Sequence, residues 1–282
     1  MPEKHVVIEK LTVTDSIGTR LSDYAVGRFE ALPSRKSVKK AIKRGLLLVN
    51  DNVSQTAHRV VQGEVLTVIA DERSRPVYKR EISVLYQDDY MAAVRKPADL
   101  SVSGNTFRTL QNALAYNLEK TKLMDALAVP RPVHRLDRLT GGVVLIAKTT
   151  KAATNLGEQF EERSIEKTYL TWVSGRHDEE RRYDAPVDGK EALTAVKTIK
   201  MIDHNRYGEL TLLEAKPKTG RRNQIRMHLA QAGHPILGDL KFEGRKSGKG
   251  LFLFAKAIEF NHPKTGIRTI IETKVPKKFN LI

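Results

Sequence analysis

Apolar and polar positions fall into two regimes along the chain. From Arg35 to Arg44 (RKSVKKAIKR), steps of about 100° per residue gather Val38, Ala41 and Ile42 on one arc and the Lys and Arg side chains on the other, which predicts a short helix. Ser34 and Ser37 both offer caps for its start, and Gly45 offers a stop. The next stretch, LLLVNDNVSQTAHRVVQGEVLTVIA, reads as a hairpin-like β segment with a turn at Asn50-Asp51-Asn52. A charged, polar run at 71–80 (DERSRPVYKR), interrupted by Pro76, then reads as a linker. Beyond it come strands near Ile82–Tyr86 and Met91–Arg95, a helix near Thr109–Leu118, the loop RPVHRLDRLTGG and the strand VVLIA. Thr149 or Thr150 caps a helix with Ala152, Ala153, Leu156 and Phe160 on one side, and KTYLTWVSG follows as a strand. Helix and strand are expected to keep alternating up to a helix over Asn223–Ala232, closed by Gly233 and Pro235. Two last strands, LFLFAKAIEF and IRTIIETKVP, flank the turn HPKTG. No repeat with a period of about 20 to 50 residues is present.

The 282 residues suffice for one large domain or two. A net charge of +16 makes a polyanion the first partner to consider, with nucleic acid ahead of an anionic membrane surface. The charge is uneven: residues 1–76 carry a net +4, whereas Lys216 to Gly250 alone carry +7. With no cysteine, disulfides, thiolate metal sites and cysteine nucleophiles are excluded. There is no apolar run of about 18 residues, and MPEKHVVIEK has no apolar signal core, so the expectation is a soluble, cytoplasmic protein.

Several motifs fail on inspection. GRKSGKG, from Gly244 to Gly250, has the wrong spacing for a nucleotide phosphate loop and no Ser or Thr after Lys249, so it reads as a flexible cationic loop. The eight histidines form no HExxH pair, and there is no GxSxG elbow. What remains is Asp137, between Arg135 and Arg138 and just before Gly141-Gly142. Cationic neighbours favour a charged carboxylate, which suits a nucleophile or base; ordinary loop hydrogen bonds or a surface ion pair fit the same local pattern.

Two stretches carry resemblances. Residues from about Thr19 to Ile69, with the basic helix and the β segment, resemble an S4-type RNA-binding module; a solvated helix face is the plain alternative for the charge run. HRLDRLTGGVVLIAKT, from His134 to Thr149, resembles the signature of the RluA-type pseudouridine synthases. KTYLTWVSG, TGRRNQIRMHLAQAGHPILGD and LFLFAKAIEFNHPKTG are similar to further motifs of that family, in the same order. The resemblance implies an α+β fold, a mixed and largely antiparallel central sheet with flanking helices, preceded by a small α/β S4-like module. The implied domains are 1–75, with a core at about 19–69, a linker at 76–80 and a catalytic portion over 81–282.

The resemblance also implies an RNA pseudouridine synthase, an isomerase that needs no cofactor and no metal. Asp137 falls on the family's nucleophilic aspartate, Arg226 on the arginine that pairs with it, and Tyr169 on the active-site tyrosine. Arg135 falls on the arginine that enters the RNA stack when the target base is flipped out, and Ile225 and Leu229 fall on apolar pocket walls, where core packing serves equally. Lys36, Lys39, Lys40, Lys43 and Arg44 are the RNA-binding residues expected on the S4-like helix. The implied partner is RNA, ribosomal in preference to transfer RNA, with no membrane and no obligate protein partner, the chain acting as a monomer. Three positions depart from the common pattern: Asn223 stands where members carry His, Gly141 where they carry Ser, and Phe254 where they carry His. A catalytically inactive RNA-binding or ribosome-assembly protein on the same fold is the alternative, and a nucleoside or glycoside hydrolase is a second. The first would not require Asp137, Tyr169 and Arg226 together, and glycosidases bring two carboxylates to the bond.

Overall fold

The computed structural model describes residues 7–15, 18–69, 77–178 and 180–281, and the chain divides into two compact units, Met1–Ser74 and Arg75–Ile282. Residues 71–76 of the expected linker lie outside the described residues. Its remainder is part of the second unit: the Tyr78 N–H donates to the Asn112 carbonyl at 2.8 Å, and the Tyr78 ring meets Phe107 edge-on at 5.4 Å.

The first unit runs β1 (Val7–Thr12), α1 (Leu21–Tyr24), α2 (Arg35–Lys43), β2 (Leu47–Val49), β3 (Asn52–Val53) and β4 (Val65–Ile69). Its strands pair antiparallel in the order β1-β4-β2-β3. The start of α2 is fixed by a reciprocal cap in which the Ser34 hydroxyl accepts the Ser37 N–H and the Ser37 hydroxyl accepts the Ser34 N–H. Val38, Ala41 and Ile42 turn inward to a core shared with Leu21, Leu47 and Leu66. Asn50 and Asp51 both have positive φ (48° and 60°), the conformation that the two-residue β2–β3 turn requires and that Asn and Asp tolerate. Strand β1 was not legible in the sequence, because its polar and charged residues sit on an edge strand with one face in solvent.

In the second unit, β5 (Ser83–Gln87), β6 (Met91–Lys96), α3 (Leu110–Asn117), β7 (Ala126–Pro132), β8 (Gly141–Thr149) and α4 (Thr150–Glu161) come first. Then follow β9 (Glu166–Ser174), β10 (Arg181–Tyr183), β11 (Thr194–His204), β12 (Gly208–Pro217), α5 (Gln224–Gln231), β13 (Leu253–Asn261) and β14 (Arg268–Glu272). They build a ten-stranded sheet of order β10-β11-β12-β9-β13-β8-β6-β5, with β14 beside β13 and β7 beside β8. The β13–β8 pair is parallel and the other pairs are antiparallel, the mixed, largely antiparallel sheet that the resemblance implies.

The expected alternation of helix and strand fails over 181–217, where β10, β11 and β12 follow one another. Residues of β11 alternate between partly buried and exposed, the period of a half-solvated strand and not of a helix. Strand β8, by contrast, is buried along its whole length, as its continuous apolar run requires. Gly142 permits the parallel contact with β13, and Gly141 the close approach of the chain at the end of β6. A Cβ on Gly142 (φ +129°) would lie 2.2 Å from the Ala255 carbonyl oxygen, and one on Gly141 would press on Ala98 N and Lys96 O at 3.2 Å. A side chain at 141 would need the neighbouring backbone to give by a few tenths of an ångström, whereas one at 142 would collide outright.

The segment Gly244–Gly250 corrects the reading of a flexible loop. The Ser247 hydroxyl donates to Gly250 O at 2.7 Å, the Tyr207 hydroxyl donates to Ser247 O at 2.6 Å, and the Gly238 N–H donates to Arg245 O at 2.8 Å. The last two bonds tie it to the turn before β12 and to the segment after α5, and Ser247 is buried. Phe254 points into the core against Phe279, their centroids 6.1 Å apart, and does not line the cavity described below.

Candidate active site

One end of the central strands opens into a cavity of about 730 Å³, lined by the loop before β8, the first half of β9, the segment Pro217–Asn223 and the start of α5. The loop before β8 is anchored on both sides of Asp137. Leu136 is buried in the core, and the Arg138 carbonyl accepts the Asp99 N–H at 2.8 Å and the Lys96 ammonium at 3.2 Å. Lys96, itself fully buried at the end of β6, also donates to Pro97 O and Leu100 O. Burial pushes its pKa down to about 8, against the opposing pull of Asp99 and Asp137. The carboxylate of Asp137 is thereby left facing the cavity on a rigid turn, with its side chain 22% exposed.

Opposite stands Arg226, in the first turn of α5. Its Nε and one terminal nitrogen donate to both oxygens of Asp239 at 2.6 and 2.7 Å, a two-point bond between side chains that are 7% and 1% exposed. The other terminal nitrogen, Nη1, donates to Asn223 Oδ1 at 2.8 Å and lies 3.6 Å from Asp137 Oδ2. Burial alone would lower the Arg226 pKa, but the hydrogen bonds and charge of Asp239, followed by those of Asp137, carry it above the usual arginine value. The family resemblance implies Asp137 as the partner of Arg226. The structure gives the closer partnership to Asp239 and leaves Asp137 with the looser one.

Tyr169 projects from β9 into the same cavity. Burial and the neighbouring Asp137 charge raise its pKa, so the phenol keeps its proton across the neutral range. His134 lines the wall with its ring 4.9 Å from that of Phe160, and its Nε2 accepts the Leu145 N–H at 3.0 Å. Burial and the Lys167 charge push it down to about 3, which leaves a neutral, structural imidazole. Lys167, two residues before Tyr169 on β9, reaches across to Thr219 O at 3.2 Å, and burial followed by the Lys218 charge lowers its pKa to about 8.

The segment Pro217–Asn223 is held by Gln224. Its side-chain oxygen accepts from the Thr219 hydroxyl at 2.6 Å and the Arg221 N–H at 3.0 Å, while its nitrogen donates to Leu193 O and the Thr194 hydroxyl. His228, one turn further along α5, joins the same buried chain at Thr194. Of the residues expected at the site, Asp137, Arg135, Tyr169, Arg226 and Ile225 all line the cavity, with Arg135 exposed at its rim. Leu229 does not reach it and is fully buried in the core, one turn too deep along α5. Lys36, Lys39, Lys40, Lys43 and Arg44 are exposed on α2 and just past its end in the first unit.

Sequence reasoning missed Asp239, Lys96 and Gln224. A signal existed for the first: an arginine on a helix face that packs inward requires a carboxylate, and Asp239 closes the same quoted motif. Among the described residues, no group of three or more His, Asp or Glu side chains is disposed to hold a metal ion, and no helix is long and apolar enough to cross a membrane.

A family model described as RNA pseudouridylate synthase matches residues 90–231, which span the Asp137 loop, Tyr169 and Arg226. The chain is 35% identical to the "Uncharacterized RNA pseudouridine synthase" of Aquifex aeolicus (strain VF5), with 88% of each chain covered. It is 33% identical to ribosomal large subunit pseudouridine synthase D of Xylella fastidiosa (strain Temecula1), over 94% of this chain and 88% of that one. Among solved structures it is similar in fold to human RNA pseudouridylate synthase domain containing 1, at 24% identity and a TM-score of 0.57, covering 71% of this chain and 86% of that one. With the signature loop, the sheet and the cavity thus accounted for, the chain belongs to the RNA pseudouridylate synthase family, isomerases that act on RNA.

Proposed function

We propose that the chain converts uridines of large-subunit ribosomal RNA to pseudouridine, with Asp137 as nucleophile, Arg226 as the cation that orients it, and Tyr169 as the ring against which the extruded uracil packs. The observation that carries this reading is the placement of Asp137 Oδ2, facing the cavity 3.6 Å from Arg226 Nη1, with Tyr169 of β9 lining the same cavity. In the reaction the N1–C1′ bond of uridine breaks with participation of the Asp137 carboxylate. The base turns in the pocket, C5 bonds to C1′, the C5 proton leaves and N1 gains a proton, so atoms and electrons balance without an external reagent. The protonated Tyr169 hydroxyl is suited to hydrogen-bond the base during that turn. Arg135, exposed at the rim, takes the place of the flipped base in the RNA stack. The carboxylate nearest Arg226, Asp239, is locked beneath it and does not line the cavity, so the partner of Asp137 is a cation, unlike the paired carboxylates of glycoside hydrolysis.

Support for ribosomal RNA comes from relatives named as ribosomal large subunit pseudouridine synthases. Pseudouridine mapping in a strain lacking the gene, with and without the gene restored, tests the target. The expected result is one or more large-subunit positions regained; sites regained solely in transfer RNA would remove the ribosomal assignment.

The first unit is proposed as an S4-like auxiliary grip on RNA, in which the exposed lysines of α2 face phosphate while Arg35 is held by Asp23 at 2.7 Å. Replacing Lys36, Lys40 and Lys43 together by Gln is expected to weaken binding of long RNA. It should also flatten log K against log salt by about two units, since each single-strand phosphate contact contributes about 0.7. Turnover of a short bound fragment should be unchanged. An unaltered salt slope would show that this face does not touch RNA.

A further inference from the structure

We infer that Asn223 is a positioning residue that holds the Arg226 guanidinium back from Asp137 and so keeps the nucleophile from being locked in a tight ion pair. The inference rests on the reading of Asp137 as the nucleophile.

The geometry begins with the five N–H bonds of Arg226. Nε and Nη2 are fixed on Asp239 at 2.6 and 2.7 Å. Nη1, with two N–H bonds, faces both Asn223 and Asp137, and its position is set by the short bond to Asn223: 2.8 Å to the amide oxygen against 3.6 Å to the carboxylate. A guanidinium facing a carboxylate with nothing in competition closes to about 2.7–2.9 Å. The observed separation is therefore long by most of an ångström, in a place where both groups are largely screened from water and attraction between them is strong.

Asn223 can hold this position because of its backbone. It precedes the first residue of α5 with φ +56° and ψ 20°, a left-handed conformation that Asn adopts more readily than most residues. It caps no helix N–H, so its side chain is not engaged in the usual role of the residue before a helix. Instead it folds back onto the arginine three positions later. Gln224 fixes the backbone on the other side through Thr219 and Arg221, so the amide is presented from a braced segment.

The chemical consequence concerns Asp137. A carboxylate oxygen held by a short charge-assisted bond is a poorer nucleophile, because that bond must stretch as its charge passes to the substrate. A carboxylate 3.6 Å from the cation is oriented by the field yet retains its lone pairs. The negative charge that remains after Asp239 has matched Arg226 is thus left on the atom that reacts. Asn223 is also one of the positions at which the chain departs from the pattern it resembles, so this arrangement belongs to the present chain.

The test compares wild type, Asn223→Gly and Asn223→Asp by release of tritium from RNA carrying [5-³H]uridine, with Asp137→Asn measured alongside. Gly keeps the left-handed backbone and removes the amide; Asp tolerates the same backbone and restores an acceptor for Nη1. The expected result for Asn223→Gly is a kcat about tenfold lower with KM within about twofold of wild type, and a crystal structure in which Nη1 has closed on Asp137 to an ordinary bonding distance. Asn223→Asp is expected to recover most of the lost kcat. A raised KM with unchanged kcat would make Asn223 an RNA contact and overturn the inference, as would equal impairment of the Gly and Asp variants, or no change in either. Full activity of Asp137→Asn would remove the underlying reading instead, so the two failures are distinguishable.

Discussion

Asp137→Asn is expected to lose at least about a thousandfold in kcat while folding and binding RNA as the wild type does. The substitution changes no volume and leaves an acceptor oxygen facing Arg226, but an amide cannot supply an anionic lone pair to the nucleotide. Removal of a nucleophile elsewhere costs about a millionfold where the remaining groups act as a unit, so a thousandfold is a conservative floor. The fold should be indifferent, because the carboxylate contributes no short hydrogen bond. Its loop is held through Leu136, the Arg138 carbonyl and the Thr140 N–H, which donates to the Asp137 carbonyl at 3.0 Å. Single-turnover tritium release together with RNA affinity separates the two effects. A rate within tenfold of wild type would deny Asp137 its role, and a matching loss of affinity would make it a binding residue.

The second large effect is expected at Asp239. Asp239→Asn leaves the Arg226 guanidinium in its pocket with half of its partnership gone, and breaking a buried ion pair from one side costs about 3–5 kcal/mol. For a unit of this size that corresponds to a fall in melting temperature on the order of 10 °C. Activity should fall as well, because an arginine released from Asp239 turns to the remaining carboxylate, Asp137, and engages it tightly. The position is fixed by backbone that no other residue type would permit: Gly238, with φ +83°, lies so close to Gly250 that a Cβ would stand 2.0 Å from its carbonyl oxygen. That approach brings the Asp239 carboxylate under α5. A melting temperature within about 1 °C of wild type, with kcat retained, would show that Arg226 does not depend on Asp239.

Much of this architecture is legible in the sequence. The helix over Arg35–Lys43, the buried run of β8 and the caps at Thr109 and Thr149 follow from period and capping chemistry, which are local properties. Asp137, Tyr169 and Arg226, singled out by a pattern of motifs, line one cavity. What the sequence did not disclose depends on contacts distant along the chain. Asp239 meets Arg226 only because the chain turns back after α5, and Lys96 reaches the Asp137 loop across 42 positions. Leu229 was misplaced for a geometric reason: a residue one turn beyond Ile225 shares its helix face, but the cavity ends before it. Strand β1 and the β10–β12 region were obscured by polar residues whose exposed faces carry no apolar signal.

Isomerisation of uridine within RNA is read out by a nucleoside balance on RNA incubated with the purified protein. Complete digestion and chromatography are expected to show uridine lost and pseudouridine gained one for one, with no free uracil, and neither change with Asp137→Asn. Free uracil in place of pseudouridine would mean hydrolysis of the glycosidic bond, and an unchanged uridine content in RNA that the protein binds would mean a binder without catalysis. Either result would rule out an isomerase.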